Sequence, residues 1–238
     1  MISIIMPTLN EERNIEGAIQ NVSKLKGDFE FIVVDGGSTD KTREIAEKYT
    51  TVIASSDKGR AKQMNAGAIR AKGDVLLFLH ADCQLPPHAL SEIERSLNGK
   101  GYNGNGKGHN GSKEIIGGAF KFYLDDYPSP FKLLSSISNL RASISKTFTG
   151  DFGLFIRKST FDKIGGFNEI ELMEDVDICK RLKKEGKLVQ ADAKIISSAR
   201  RFKKQGLLKT WTHMQINRFL YFIGVSPKRL SEFYKEVR

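Results

Sequence analysis

Hydrophobic positions in the first half of the chain fall into two alternating rhythms. Ile2 to Met6 is a short apolar run that stops at Pro7, and Phe29 to Val34, Thr51 to Ala54 and Asp74 to Leu79 are further runs of strand length. Between them the pattern changes to that of a helix. Ile15, Ala18, Ile19, Val22 and Leu25 recur at helical spacing, and Arg60 to Ala71 reads as a small-residue helix closed by Gly73. Asn10 can cap the first helix, Thr39 or Asp40 the second, and Pro86-Pro87 opens one that reaches about Leu97. Strands alternating with helices predict a doubly wound α/β fold built on a mainly parallel sheet.

The second half is less regular. Glu114 to Leu124 and Phe152 to Arg157 read as strands, Pro130 to Lys146 and Glu174 to Glu185 as helices, and Lys187 to Arg201 as one or two strands. Asn98 to Ser112 is rich in Gly, Asn and Lys without apolar periodicity, which predicts a flexible surface loop. Leu207 to Gly224 is an aromatic and aliphatic helix on a basic background. The expected organisation is one domain over 1–203 and a basic helical appendage over 204–238.

Composition narrows the class. With 39% hydrophobic and 28% charged residues among 238, the chain can bury a full core and is not a disordered segment. The net charge of +10 is concentrated near the end: residues 180–238 hold 16 Lys and Arg against 4 Asp and Glu. That surplus suits a solvated face, a phosphorylated ligand, nucleic acid or an anionic membrane. Cys83 and Cys179 have no zinc spacing and read as free thiols packed in a reducing compartment. No run reaches membrane-span length and Met1 to Leu9 lacks the features of a signal peptide, so a cytoplasmic protein is expected, with peripheral contact at the inner membrane face as an open alternative.

Candidate chemistry sits at strand ends. Parallel α/β sheets bind ligands outside the carboxyl ends of their strands. Asp35 and Asp82 both follow such ends, so two carboxylates reach one rim. One strand-end acid is as well explained by helix capping; the pair is not.

Several segments resemble one family. Ile4-Ile5-Met6-Pro7-Thr8-Leu9-Asn10-Glu11-Glu12, Val33-Val34-Asp35-Gly36-Gly37-Ser38-Thr39-Asp40, Asn65-Ala66-Gly67, Phe78-Leu79-His80-Ala81-Asp82, and Gly165-Gly166-Phe167 followed by Glu174-Asp175 are similar, in order and spacing, to family 2 glycosyltransferases of GT-A fold. Gly59 to Gly67, Leu79 to Cys83, Met173 to Asp177 and Gly224-Val225-Ser226-Pro227 resemble its small arsenosugar-biosynthesis-type subgroup.

The resemblance implies an inverting transfer of sugar from a nucleotide-sugar donor, UDP- or GDP-linked, to an acceptor hydroxyl. It implies a nucleoside pocket from Pro7, Thr8, Asn10, Glu11, Asp35 and Gly36, with donor contacts from Arg60, Gln63, Asn65, His80 and Ala81. Asp82 matches the acid that holds Mn²⁺ or Mg²⁺ under the diphosphate, and Asp175 the general base, with Glu174 beside it. His80 stands where the family has a first acid; imidazole can bind Mn²⁺ or donate to an oxygen. Met64 stands where an Arg is common, so Arg60 or Lys62 would supply the cation. Gln215-Ile216-Asn217-Arg218-Phe219 resembles the Gln-x-x-Arg-Trp motif of processive synthases, with Phe219 in place of Trp. A nucleotidyltransferase is the nearest alternative, but its Gly-rich loop after the first strand has no counterpart here. A basic binder of nucleic acid or of an anionic surface accounts for the charge and not for the acids, and no nucleic-acid partner is expected.

Overall fold

The computed structural model describes residues 1–50, 52–54, 59–99, 113–125 and 129–233. Most of the segment expected to be a flexible loop, and the last five residues of the appendage, lie outside these.

In chain order the elements are β1 (Ile2–Thr8), α1 (Ile15–Val22), β2 (Phe29–Asp35), α2 (Thr42–Glu47), β3 (Val52–Ala54), α3 (Arg60–Arg70), β4 (Val75–Phe78), β5 (Cys83–Gln84), α4 (Ala89–Leu97) and β6 (Ile115–Leu124). There follow α5 (Ser129–Ser145), a 3₁₀ turn (Gly150–Phe152), β7 (Leu154–Arg157), α6 (Lys158–Lys163), α7 (Glu174–Glu185), β8 (Lys187–Ser197), α8 (Arg200–Gln205), α9 (Leu207–Phe222) and α10 (Pro227–Phe233). Among the described residues the strands form one sheet in the order β3-β2-β1-β4-β7-β6-β8-β5.

The sheet is buried on both faces, so β1 and β4 are apolar at nearly every position. Alternate residues of each strand serve opposite cores. Ile5, Leu76 and Phe78 join Met64, Phe161 and Phe167 on one face, while Ile4, Met6 and Leu77 join Ile15, Ile19, Leu90 and Ile93 on the other. The first four strands are parallel, as the βαβ rhythm predicts. The sheet then turns mixed, because β7 runs antiparallel to both β4 and β6.

Two features carry the fold toward a site. The first is a return of the sheet on itself. β5 follows β4 after only Leu79 to Asp82, yet it pairs with the far strand β8, Cys83 opposite Ser197. Five residues span at most about 17 Å, so the carboxyl end of β8 is brought to the carboxyl end of β4. The second is the close approach of α3 to the sheet. A Cβ on Gly67 would overlap the Ile5 side chain and come within 3.1 Å of Val34 Cγ2. Two residues earlier, Asn65 Nδ2 donates to Phe167 O and its Oδ1 accepts the Phe167 N–H, both at 2.9 Å. The helix thereby clamps the Gly165-Gly166-Phe167 turn that leads into α7.

Local readings differ from the structure in a few places. Asn10 does not cap α1, which begins after Asn14; it sits at φ 54° with its Oδ1 accepting the Thr39 N–H. Asp40 Oδ1 does accept the Thr42 N–H at the start of α2. Lys187 to Arg201 is one long strand and the start of α8, and Phe152 belongs to the turn before β7. On α9, Phe219 and Phe222 are exposed.

The close approach of α3 sets an expectation for stability. Gly67→Ala should destabilise the fold by about 1–3 kcal/mol, the usual cost of forcing a methyl into a filled core. Gly17→Ala, in α1 with nothing within 4 Å of the new Cβ, should be neutral or stabilise by roughly 0.5–1 kcal/mol. Urea midpoints of the two variants check the pair; equal effects would remove the packing explanation.

Candidate active site

A cleft of about 210 Å³ opens at the carboxyl ends of β1 and β4, where the folded-back end of β8 forms the facing wall. Pro7, Thr8, Leu9 and Glu11 after β1, His80, Ala81 and Asp82 after β4, Asp151 of the 3₁₀ turn, and Glu174 and Asp175 of α7 all line it.

One group in the cleft is a pair of acids around one imidazole. His80 Nδ1 lies 3.4 Å from Asp151 Oδ1. His80, Asp82 and Asp151 each present one ligand atom, all within 4.8 Å of one another. The Gly150 backbone packs directly on the imidazole, where a Cβ would overlap Cε1 and Nε2, so any larger residue would push His80 out of place. Burial, and then the neighbouring Asp151 carboxylate, push the Asp82 carboxyl above its ordinary range, with His80 and Arg200 pulling the other way. Arg200 reaches in from α8, its Nη2 3.0 and 3.2 Å from the two Glu11 oxygens and 3.8 Å from Asp82 Oδ2.

The second group is at the N-terminus of α7. Asp175 Oδ2 accepts the Gly150 N–H at 2.9 Å, and its Oδ1 accepts the Val176 N–H at 2.7 Å. Glu174 is buried and paired with Arg60 Nη1 at 3.2 Å. Burial first, and then the adjacent Glu174, push the Asp175 carboxyl up to about 6, against the lowering effect of the Gly150 N–H, of Arg60 and of the Val176 N–H. A carboxylate with that value takes and returns protons near neutral pH. Neighbouring residues of one turn thus serve two groups: the Gly150 N–H fixes Asp175, and the Asp151 side chain completes the cluster with His80 and Asp82.

The expected site residues divide in space. Pro7, Thr8, Glu11, Arg60, Gln63, His80, Ala81, Asp82, Glu174 and Asp175 all line the cleft, and Asn10, Asp35, Gly36 and Asn65 do not. Gln63 lies at its edge with Nε2 donating to Thr8 O (2.7 Å) and Val34 O (2.8 Å), which ties the ends of β1 and β2 together. Asp35 is buried beside Thr8, accepting the Gly37 and Ser38 N–H groups on Oδ2 and the Ser38 hydroxyl on Oδ1. Gly36 N–H donates to Thr8 O. Asn65 is occupied by Phe167.

Sequence reasoning missed Asp151 and Arg200 as site residues. It named Arg218 only within an imperfect motif, yet Arg218 lines the cleft, and its Nη1 donates to Gln215 Oε1 at 2.9 Å. The one local signal for Asp151 was an acid between glycines, Gly150-Asp151-Phe152-Gly153, at the entry to a strand.

Comparison with known proteins agrees with this geometry. Glycosyltransferase AglE of Haloferax volcanii is 27% identical over 194 residues, which cover 76% of this chain and 60% of AglE. The chain therefore spans only part of that relative's length. The mannosyltransferase PcManGT from Pyrobaculum calidifontis, solved with GDP-Man and Mn²⁺, superposes over 100% of this chain and 65% of its own with a TM-score of 0.67 at 17% identity. Glucosyl-3-phosphoglycerate synthase from Mycobacterium tuberculosis, solved with Mn²⁺, UDP and phosphoglyceric acid, gives a TM-score of 0.59 at 20% identity, covering 94% of this chain and 79% of that one. At these identities the solved structures establish the GT-A fold. The family model described as glycosyl transferase family 2 matches residues 3–160, so the chain belongs to that family.

Proposed function

We propose that the chain moves a sugar from a nucleoside-diphosphate-sugar donor to an acceptor hydroxyl, with inversion at the anomeric carbon. The observation that carries this reading is the pairing, through one turn, of a carboxylate of raised pKa with a cluster of His80, Asp82 and Asp151 across one cleft. Family membership favours sugar transfer over the nucleotidyl-transfer alternative.

The residues divide the work by position. Pro7, Thr8 and Leu9 at the end of β1 receive the nucleoside. Asp35 supports that rim from behind: three of its roughly four acceptor positions are taken by its own loop, which it holds against the end of β1. Asp175 takes the proton of the acceptor hydroxyl as that oxygen forms its bond to the anomeric carbon from the face opposite the donor phosphate. The bond from the anomeric carbon to the phosphate oxygen breaks, and the nucleoside diphosphate leaves with the electron pair. Burial, and then Glu174, keep the Asp175 carboxyl basic, and Glu174 is itself paired with Arg60.

The donor set fits a divalent cation. One imidazole nitrogen and two hard carboxylate oxygens converge, and burial, then the Asp151 carboxylate, raise the Asp82 carboxyl, which a cation would offset. His80, Asp82 and Asp151 would hold Mn²⁺ or Mg²⁺, and such an ion supplies positive charge against the leaving diphosphate. Solved structures of the same fold carry Mn²⁺. Arg200, held by Glu11, adds fixed positive charge at the same place.

Replacing Asp175 by Asn should leave donor affinity within about twofold and lower the transfer rate by roughly two to four orders of magnitude, the usual worth of a general base. In the unaltered enzyme kcat/KM should fall as pH drops below about 6, because the base must be ionised and its carboxyl titrates there. An acidic limb near the ordinary carboxylate value of 3.8 would place the proton acceptor elsewhere.

The third ligand is tested separately. Asp151→Asn should weaken Mn²⁺-dependent stabilisation by UDP or GDP about 10–100-fold in metal affinity, a loss typical of a disturbed ligand shell, and Asp82→Ala should abolish it. Thermal shifts with and without Mn²⁺ read this. Full Mn²⁺ dependence in both variants would move the metal away from this cluster.

A further inference from the structure

We infer that α5 and α9 together form a docking face for an anionic lipid bilayer. Both helices are apolar on two opposite sides, and only one side of each is covered. In α5, Phe131 and Leu134 pack on the core. Leu133, Ile137, Leu140 and Ile144 follow one another at i, i+4, i+7 and i+11 on the other side, each between 45% and 76% exposed. In α9, Leu207, Trp211 and Met214 pack on the core, whereas Leu208, Ile216, Phe219, Phe222 and the following Ile223 point outward, each between 50% and 76% exposed. A helix that is apolar all round is a helix covered all round. Two such stripes on one small protein exceed the scattered surface apolar residues that need no explanation.

Charge selects the occupant. From Ala193 to Ser231 the chain has nine Lys and Arg and not one Asp or Glu. Lys209 is exposed on α9, Lys204, Lys228 and Arg229 are exposed on α8 and α10, which touch α9, and Lys132 is exposed next to Leu133 on α5. Among the described residues none of these five is in an ion pair. A second copy of the chain would bring the same positive field against itself. An anionic headgroup layer satisfies the basic rim while the acyl boundary takes the Leu, Ile and Phe side chains. The interaction is interfacial, because no helix among the described residues is long and apolar enough to cross a membrane.

The face adjoins the cleft. Met214, Asn217 and Arg218, on the inner side of α9, line it. One helix thickness, about 10 Å, therefore separates the lipid surface from the site. The inference stands on exposed residues that take no part in the proposed chemistry, so either can fail without the other.

Co-sedimentation of the full chain with vesicles tests it, using phosphatidylcholine alone and phosphatidylcholine mixed with phosphatidylglycerol. At low salt the mixed vesicles should retain at least about tenfold more protein than the neutral ones, and high salt should release most of it. A variant carrying Ser at Leu133, Ile137, Leu140 and Ile144, and a second carrying Ser at Leu208, Phe219 and Phe222, should each lose about tenfold of that retention with an unchanged circular dichroism spectrum. A third with Lys132→Glu, Lys209→Glu and Lys228→Glu keeps both stripes and should lose the preference for anionic vesicles. A folded protein that stays in the supernatant with mixed vesicles at low salt overturns the inference. So does retention that disappears in the charge variant but survives in both Ser variants, which would be surface attraction without docking. A dimer in sedimentation velocity that the Ser variants dissociate, without vesicle binding, would assign the face to a second copy instead.

Discussion

The hydrogen bond from the Gly150 N–H to Asp175 Oδ2 is the constraint on which the site depends. Thr149 to Gly153 is a short turn between a surface helix and an interior strand, and it touches both halves of the cleft. Gly150 lies against the His80 ring with no room for a side chain. Asp151 projects to His80, and Phe152 is buried among Phe122 and Phe148. The aromatic packing holds the turn in place. The turn then sets the separation between a carboxylate that handles a proton and a cluster suited to a cation. A shift of this turn would disturb both at once, which is why its residues should act as a unit in mutational tests.

The rest of the fold serves to bring that turn and the strand ends together. The parallel half supplies a rim of strand ends, and its position is fixed by Gln63 tying β1 to β2 and Asn65 tying α3 to the turn before α7. The return of β8 onto β5 closes the other wall and delivers Arg200 to Glu11 and Asp82. α9 then covers one side, with its inner residues in the cleft and its outer residues in solvent. Around the cleft, charge is balanced locally at three places: Glu174 by Arg60, Glu11 by Arg200, Asp175 by two N–H donors. At His80, Asp82 and Asp151 two carboxylates lie beside one imidazole, with Arg200 3.8 Å from Asp82, and this donor set suits a cation.

Much of this was legible in the sequence where the signal is local. The βαβ rhythm gives the parallel strands because period two and helical spacing are set by neighbours in the chain. Asp82 and Asp175 were found through segments similar to a family, and both line the cleft. Asn65 and Asp35 lie outside it: Asp35 is engaged by Gly37 and Ser38 of its own loop, and Asn65 by Phe167, far along the chain, which no local pattern reveals. Asp151 was missed for the same reason. It is a single acid on a 3₁₀ turn, and its meaning comes from His80, which only the tertiary fold brings near. The antiparallel β7 and the β5–β8 pairing are likewise non-local, and periodicity carries no information on pairing partners. For α9, helix formation was readable, whereas the assignment of its aromatic residues was not, since a helix apolar on two sides does not say which side is covered.

A crystal structure of the chain with Mn²⁺ and a UDP- or GDP-sugar tests the central claim most directly. The account requires anomalous scattering from Mn²⁺ within coordination distance of His80, Asp82 and Asp151, with the donor diphosphate beside it. The anomeric carbon should then present to Asp175 the face opposite the phosphate. A metal bound elsewhere, or a sugar whose open face looks away from Asp175, would contradict it.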